Sequence, residues 1–249
     1  MKTSRIPFGP SAEERVARLM PFSGVQTAIT GGGNVPISEN WWAVDTTNKW
    51  QTTLTGTGAV TRVSTNNQRP TVNINCAAAA DAVNLSNRRE IYKGGYGATS
   101  PSSRRIYTKM VLEWEWMVDA NLANFNNTSF FMGLVLGHGD SRATVNIVGF
   151  GLASDALQIV ADISGTETTS TPTAPTGGLT IVHSYAMVCD VNSIRLYIDR
   201  TLAGTVAASE AHANAAFFSI YQEAEGGGAC NSQLGPVHCY YIPNSTLLA

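Results

Sequence analysis

The chain is predicted to be all-β, an antiparallel two-sheet jelly-roll sandwich preceded by a short N-terminal helical arm. Three observations predict it. Residues 107–119 read Tyr-Thr-Lys-Met-Val-Leu-Glu-Trp-Glu-Trp-Met-Val-Asp. Met110, Leu112, Trp114, Trp116 and Val118 fall on one side of an extended strand, and Lys109, Val111, Glu113, Glu115, Met117 and Asp119 on the other; a helix would scatter them. Shorter runs of the same kind recur from Asn40 onward, separated by Gly, Asn, Ser and Pro clusters, which is the density of a sandwich. Helix signals, by contrast, concentrate in the first forty residues.

That N-terminal stretch opens with Pro10 and then Ser11-Ala-Glu-Glu14, a capping box in which the serine hydroxyl accepts an early backbone N–H and Glu14 reaches back. The predicted helix covers 12–20 and stops at Pro21. Val16, Leu19 and Met20 form its apolar stripe. So short a helix is marginal alone and must dock on its own sandwich or on a neighbour. Gly31-Gly-Gly33 reads as a flexible linker. The division is therefore an arm over 1–39 and a sandwich over 40–249.

Predicted strands follow at 41–45, 50–55, 58–64, 70–76, 106–118, 129–136, 144–151, 156–163, 179–190, 193–199, 202–207, 216–222 and 236–242. Residues 84–105 read as a long basic loop and 164–178 as a second excursion rich in Thr and Pro; loops of this length commonly carry function. Val191-Asn192 marks a tight hairpin between Ser184–Asp190 and Ser193–Asp199. Asp199-Arg200 then turns the chain into Leu202-Ala-Gly-Thr-Val206.

Composition narrows the function. Only 14% of the 249 residues are charged, against about 25% in typical soluble proteins. A surface of small neutral polar groups suits lectins and proteins packed against neighbours. A net charge of -2 leaves no footprint for nucleic acid. No stretch reads as a membrane span, and residues 1–20 lack the apolar run of a secretory signal, so a cytoplasmic origin is expected. Cys76, Cys189, Cys230 and Cys239 show no metal-ligand spacing. Cys189 and Cys239 read as buried free thiols, and a Cys230–Cys239 bridge stays open.

The sequence His183-Ser-Tyr, then Ser193-Ile-Arg-Leu-Tyr-Ile-Asp-Arg-Thr-Leu-Ala-Gly-Thr-Val, then Phe217-Phe-Ser-Ile-Tyr221, resembles the concanavalin A-like (laminin-G-like) jelly-roll domains. Arg200 stands where those domains often carry Gly. The resemblance spans about 105–243. Within that superfamily, a chain with a short arm and a low-charge, Thr/Asn/Ala-rich surface looks most like tailed-bacteriophage virion proteins, either capsid decoration (cement) proteins or tail and fibre modules. It implies a non-enzymatic structural role in the virion. The partners would be a major capsid protein and sister subunits, in a homo-oligomer for which a trimer is favoured. No cofactor is implied. The arm and the loops would make the contacts, through Val16, Leu19 and Met20 and through Arg88, Arg89, Lys93, Arg104 and Arg105. The alternative is a carbohydrate-binding module with Tyr92 and Tyr96 as its sugar platform.

Other constellations are weaker. Glycan hydrolases on this fold carry carboxylates on alternate residues of one strand, and retaining chemistry needs carboxyl groups about 5–5.5 Å apart. Glu113 and Glu115 supply the first step, but Met117 holds the third position, so solvated acids paired with Lys109, Arg104 or Arg105 are the plainer expectation. Trp41, Trp42, Trp50, Tyr240 and Tyr241 are further aromatic candidates. His138-Gly-Asp140 lacks the acidic neighbours that calcium needs. His183 is expected to be a hydrogen-bonded core or edge residue. His238 and Cys239, as strand neighbours, should face opposite ways and form no dyad.

Overall fold

The computed structural model describes residues 38–39, 50–63, 71–88, 107–119, 122–137, 142, 146–163, 165–189, 193–207, 217–226 and 228–243. The strands are β1 (Ser38–Glu39), β2 (Trp50–Thr55), β3 (Ala59–Val63), β4 (Thr71–Cys76), β5 (Ala82–Asn87) and β6 (Tyr107–Val118). They continue with β7 (Phe131–Val135), β8 (Ile147–Ala153), β9 (Ala156–Ile163), β10 (Thr166–Ser170) and β11 (His183–Cys189). Last come β12 (Ser193–Ile198), β13 (Thr201–Ala207), β14 (Phe217–Glu223) and β15 (Cys230–Pro243). The larger sheet runs β13-β12-β11-β6-β15-β4-β3 with β1 beside β15; the smaller runs β10-β9-β8-β7-β14-β5-β2. Every pairing among the named strands is antiparallel. The chain is a two-sheet antiparallel β-sandwich.

The alternation read in β6 fixes its place. Met110, Leu112, Trp114, Trp116 and Val118 are fully buried or nearly so in the layer between the sheets. Trp114 stacks on Tyr185 at 5.8 Å between ring centroids and meets Phe150 and Phe218 from the facing sheet. Trp116 tilts onto Phe130 at 5.3 Å. Each such side chain, fully buried, contributes on the order of 2–3 kcal/mol of transfer free energy. This aromatic block sits beneath the centre of β6.

Several expectations need correction. The basic loop foreseen at 84–105 begins inside a strand: β5 is an interior strand of the smaller sheet, paired to both β2 and β14. All of its residues are buried, including Asn84, Ser86 and Asn87, so it carries no alternation to read. Asn84 donates to the Ser219 hydroxyl at 2.8 Å and Asn87 accepts from the Phe218 N–H at 2.6 Å, which offsets the cost of burying these groups. The 164–178 excursion likewise contains β10, a wholly exposed edge strand on β9. Trp50 is no surface platform; it is 0% exposed and packs edge-on against Phe218. The predicted helix at 12–20 and strand at 41–45 lie outside the described residues.

The Asp199-Arg200 turn keeps the tight geometry without glycine. Both residues have positive φ, 47° and 70°, as a two-residue type I′ hairpin demands. Aspartate tolerates this region, and its carboxylate is used: Oδ1 accepts the Ser184 N–H at 3.0 Å. In the smaller sheet, Gly149 is required by close approach. A Cβ there would lie 2.8 Å from both Gly133 Cα and Phe131 Cζ, closer than side chains pack.

Candidate functional site

The outer face of the larger sheet gathers polar side chains from strands distant in sequence. Its rows follow from register. Glu113 on β6 lies between Ala186 on β11 and His238 on β15, and Ala186 in turn faces Tyr197 on β12. One step along, Glu115 lies beside Ser184. The next row runs Met117, Gln233, Asn73, Thr61 across β6, β15, β4 and β3. Asn231 and Asn75 pair in the row after that. On the other side of Glu113, Val111 pairs with Val188, which pairs with Arg195.

Burial distinguishes this stripe from the core. Glu113, Glu115, Met117, Tyr197, Arg195, His238, Gln233, Asn231, Asn73 and Asn75 are all half-buried, while Trp114, Trp116, Leu196 and Ile74 between them belong to the core, and Val111, Val188 and Ala186 on the outer-face rows are buried as well. Half-buried polar groups on a sheet face are flanked by their cross-strand neighbours yet remain partly open to solvent. β15 is locally irregular here, with its register to β6 shifting between Leu234 and Val237. The shift lets Gly235 face Glu115: a Cβ on Gly235 would lie 2.9 Å from Glu115 Oε2, so the absence of a side chain makes room for the carboxylate. The side-chain oxygens of Asn73 and Asn231, diagonal neighbours across the β4–β15 ladder, are shielded and have no hydrogen-bond partner. The stripe thus spreads amides, two carboxylates, an imidazole, a guanidinium and one phenol over β12, β6, β15 and β4.

The residues singled out from sequence fall unevenly. Glu113 and Glu115 share the outer face, as the alternation required, and Met117 occupies the third step. Arg88 is exposed and its Nε donates to the Trp50 carbonyl at 2.9 Å. Val16, Leu19, Met20, Arg89, Tyr92, Lys93, Tyr96, Arg104 and Arg105 lie outside the described residues, as do Trp41, Trp42, His138 and Asp140. The side chains of Lys109, Tyr240 and Tyr241 are likewise outside the description. Among the described residues no group of three or more His, Cys, Asp or Glu could hold a metal ion, and no helix is long and apolar enough to cross a membrane. His238 is half-buried on the outer face while Cys239 is buried within, so they do point apart. All four cysteines are free and buried, and Cys230 lies opposite Cys76.

A second constellation contains Ser, His and Asp but is not a nucleophile site. His183 Nδ1 lies 2.6 Å from Asp199 Oδ2, and the Ser184 hydroxyl donates to Asp199 Oδ1 at 3.4 Å. The far imidazole nitrogen is taken by the Gly178 carbonyl at 2.7 Å. A base needs that nitrogen facing a nucleophile; here it faces a backbone oxygen. The arrangement bolts the 171–182 segment to the β12–β13 turn.

Asn73, Asn75, Asn231, Gln233, Tyr197 and Arg195 were not foreseen as site residues. The signal was present in Thr71-Val-Asn-Ile-Asn-Cys76 and Asn231-Ser-Gln233, where amides alternate with inward residues. What the sequence withheld was that β4 and β15 lie side by side.

No family model matches the chain, and no curated protein matches it. Solved structures do match in fold. The globular domain of T. cruzi calreticulin is similar at a TM-score of 0.54 and 9% identity, over 86% of this chain and 91% of that one. The binding domain of botulinum neurotoxin DC, solved with rat synaptotagmin II, is similar at 0.51 and 8% identity over 85% of this chain. A botulinum neurotoxin type C structure, described with cell entry dependent on two ganglioside molecules, is similar at 0.50 and 8% over 90% of this chain. The chain spans about half the length of these neurotoxin chains, 48% and 51%. At such identities the likeness is one of fold.

Proposed function

We propose that this chain is a non-enzymatic glycan-binding module of concanavalin A-like jelly-roll type, with its site on the outer face of the larger sheet. The observation that carries the reading is the half-buried stripe running Tyr197, Glu113, His238, Glu115, Gln233, Asn73 across β12, β6, β15 and β4. Amides and carboxylates supply paired donors and acceptors for sugar hydroxyls, and a tyrosine ring gives a sugar face something to stack on. The match to a structure described with ganglioside-dependent entry supports the chemistry without assigning it. Hydrolysis is disfavoured because Met117 interrupts the carboxylate series. A glycan array probed with the full chain tests the proposal: saturable binding lost in Tyr197→Ala and Gln233→Ala supports it. Binding that survives both changes moves the site elsewhere, with Tyr92 and Tyr96 the next platform to test.

A virion role is the second reading. It is favoured by the low charge of the chain and by the exposed apolar side chains Leu54, Ile181, Val182 and Leu202, each about half accessible. A decoration or tail protein would cover such groups against a capsid protein or sister subunits. A stable interface needs about 1,200–2,000 Å², to which an arm over residues 1–39 would contribute. Immunogold labelling of particles tests this: label over icosahedral shells supports decoration, label at the tail tip supports a tail module, and unlabelled particles remove the reading.

A further inference from the structure

We propose that Cys76 and Cys230 are an oxidisable cross-strand dithiol that closes to a disulfide and clamps one end of the larger sheet. The two are direct partners in the β4–β15 ladder, and both side chains point inward and are fully buried. Opposed residues on antiparallel strands have Cα atoms about 4.5–5.5 Å apart, within the roughly 4.4–6.8 Å that a disulfide spans. Closure therefore asks for side-chain rotation and no displacement of the strands.

The surroundings single out this pair. Gln222 reaches across from the facing sheet, with Nε2 at 3.7 Å from Cys76 Sγ and 3.8 Å from Cys230 Sγ. It is held there by donating to the Ile74 and Cys230 carbonyls at 3.0 and 3.2 Å and by accepting from Ser232 at 2.5 Å. The Cys76 thiol donates to the Gln222 carbonyl at 3.6 Å. The hydrogen bond from Cys230 holds the Cys76 thiol below its usual range, with burial opposing it. That same bond, with burial, pushes Cys230 up. Either thiol of the pair can begin the exchange, and the same disulfide results. Cys189 and Cys239 differ, since their ladder partners are Met110, Ile194 and Leu112.

Position in the fold supplies access. Cys76 is the last residue of β4 and Cys230 the first of β15, and their neighbours Ala77 and Ala229 are exposed. Strand ends open locally at low cost compared with the core. The oxidant is a low-molecular-weight disulfide such as oxidised glutathione. Beginning from Cys76, the thiolate attacks one of the oxidant's sulfurs, its S–S bond breaks, and one thiolate leaves. The Cys230 sulfur then attacks Cys76 in the mixed disulfide and the second thiolate leaves. The two cysteine protons end on the two released thiols, and two electrons pass from protein to oxidant. The product ties β4 to β15 beside the Asn75–Asn231 pair, so oxidising surroundings would stiffen one end of the polar stripe.

The inference stands apart from the glycan reading and is tested separately. The full native chain is incubated with oxidised glutathione, quenched with acid, denatured, and its thiols counted and peptides mapped. The expected result is a fall from four free thiols to two, with a Cys76–Cys230 linked peptide that dithiothreitol cleaves. A Cys189→Ser/Cys239→Ser variant should give the same linked peptide. Persistence of four thiols, a stable glutathione adduct on Cys76, or a linkage through Cys189 or Cys239 would overturn it.

Discussion

The Nδ1 of His183 lies 2.6 Å from the Asp199 carboxylate, joining the first residue of β11 to the turn between β12 and β13. His183 is 2% exposed and its other nitrogen is bonded to the Gly178 carbonyl. The bond also occupies the carboxylate of a residue held at positive φ. Replacing His183 with Ala removes both hydrogen bonds and opens a cavity. The expected cost is about 2–4 kcal/mol, read as a lower urea midpoint with unchanged slope. Asp199→Asn should cost less, because its partner keeps the Gly178 bond.

Tyr185 makes the opposite case. Its ring is packed among Trp114, Trp116 and Phe150, but its hydroxyl is buried without a hydrogen-bond partner. Burial, and secondarily the Asp199 charge, push its phenol well above the ordinary tyrosine range. An unsatisfied buried hydroxyl costs about 1–3 kcal/mol. Tyr185→Phe keeps the ring and removes that cost, so thermal unfolding should show a midpoint equal to or above the parent's.

Asp81, in the bend between β4 and β5, contributes to acid sensitivity. Its carboxylate accepts the Thr57 hydroxyl at 2.5 Å, the Thr57 N–H at 2.9 Å, and the Ala77 and Ala78 N–H groups at 3.1 and 2.8 Å. These bonds, the Thr57 hydroxyl first, hold the carboxyl below its usual range. A depressed folded value stabilises the fold above the unfolded carboxylate pKa of about 3.9. That contribution is lost as pH falls from there through the folded value. Asp81→Asn should be less stable at neutral pH and show a shallower loss between pH 4 and more acid conditions, measured by denaturation at stepped pH.

Glu113→Gln and Glu115→Gln separate binding from catalysis. The glycan-binding account predicts no polysaccharide cleavage by the parent chain, and weaker glycan binding in either variant. Cleavage by the parent that Glu113→Gln abolishes would make the stripe a hydrolase site instead.

Legibility followed the physics of each element. β6 and β12 bury one face and leave the other half-open, so their period of two is written in the sequence. β5 is buried on both faces and carries Asn84, Ser86 and Asn87 inside, which on polarity alone reads as loop. β10, Thr-Glu-Thr-Thr-Ser, is an exposed edge with no apolar residue to mark it. β15 was foreseen only from 236; it begins at Cys230, because Asn231, Ser232 and Gln233 look like a turn until Ser232 is seen buried against Gln222. The polar stripe was half legible. Glu113 and Glu115 sit on one strand, but their partners Gln233, Asn73 and Tyr197 arrive from β15, β4 and β12, and adjacency between distant strands has no local signature.

The most direct test is a calorimetric titration of the strongest glycan-array ligand into the full chain and into Gln233→Ala, with unfolding midpoints measured for both. Gln233 sits on the outer face, half-buried and between Met117 and Asn73, so its truncation should leave the fold intact. The account predicts saturable binding weakened at least about tenfold, roughly 1.4 kcal/mol, at an unchanged midpoint. Equal affinity in the two proteins, or no saturable ligand for the parent, would contradict it.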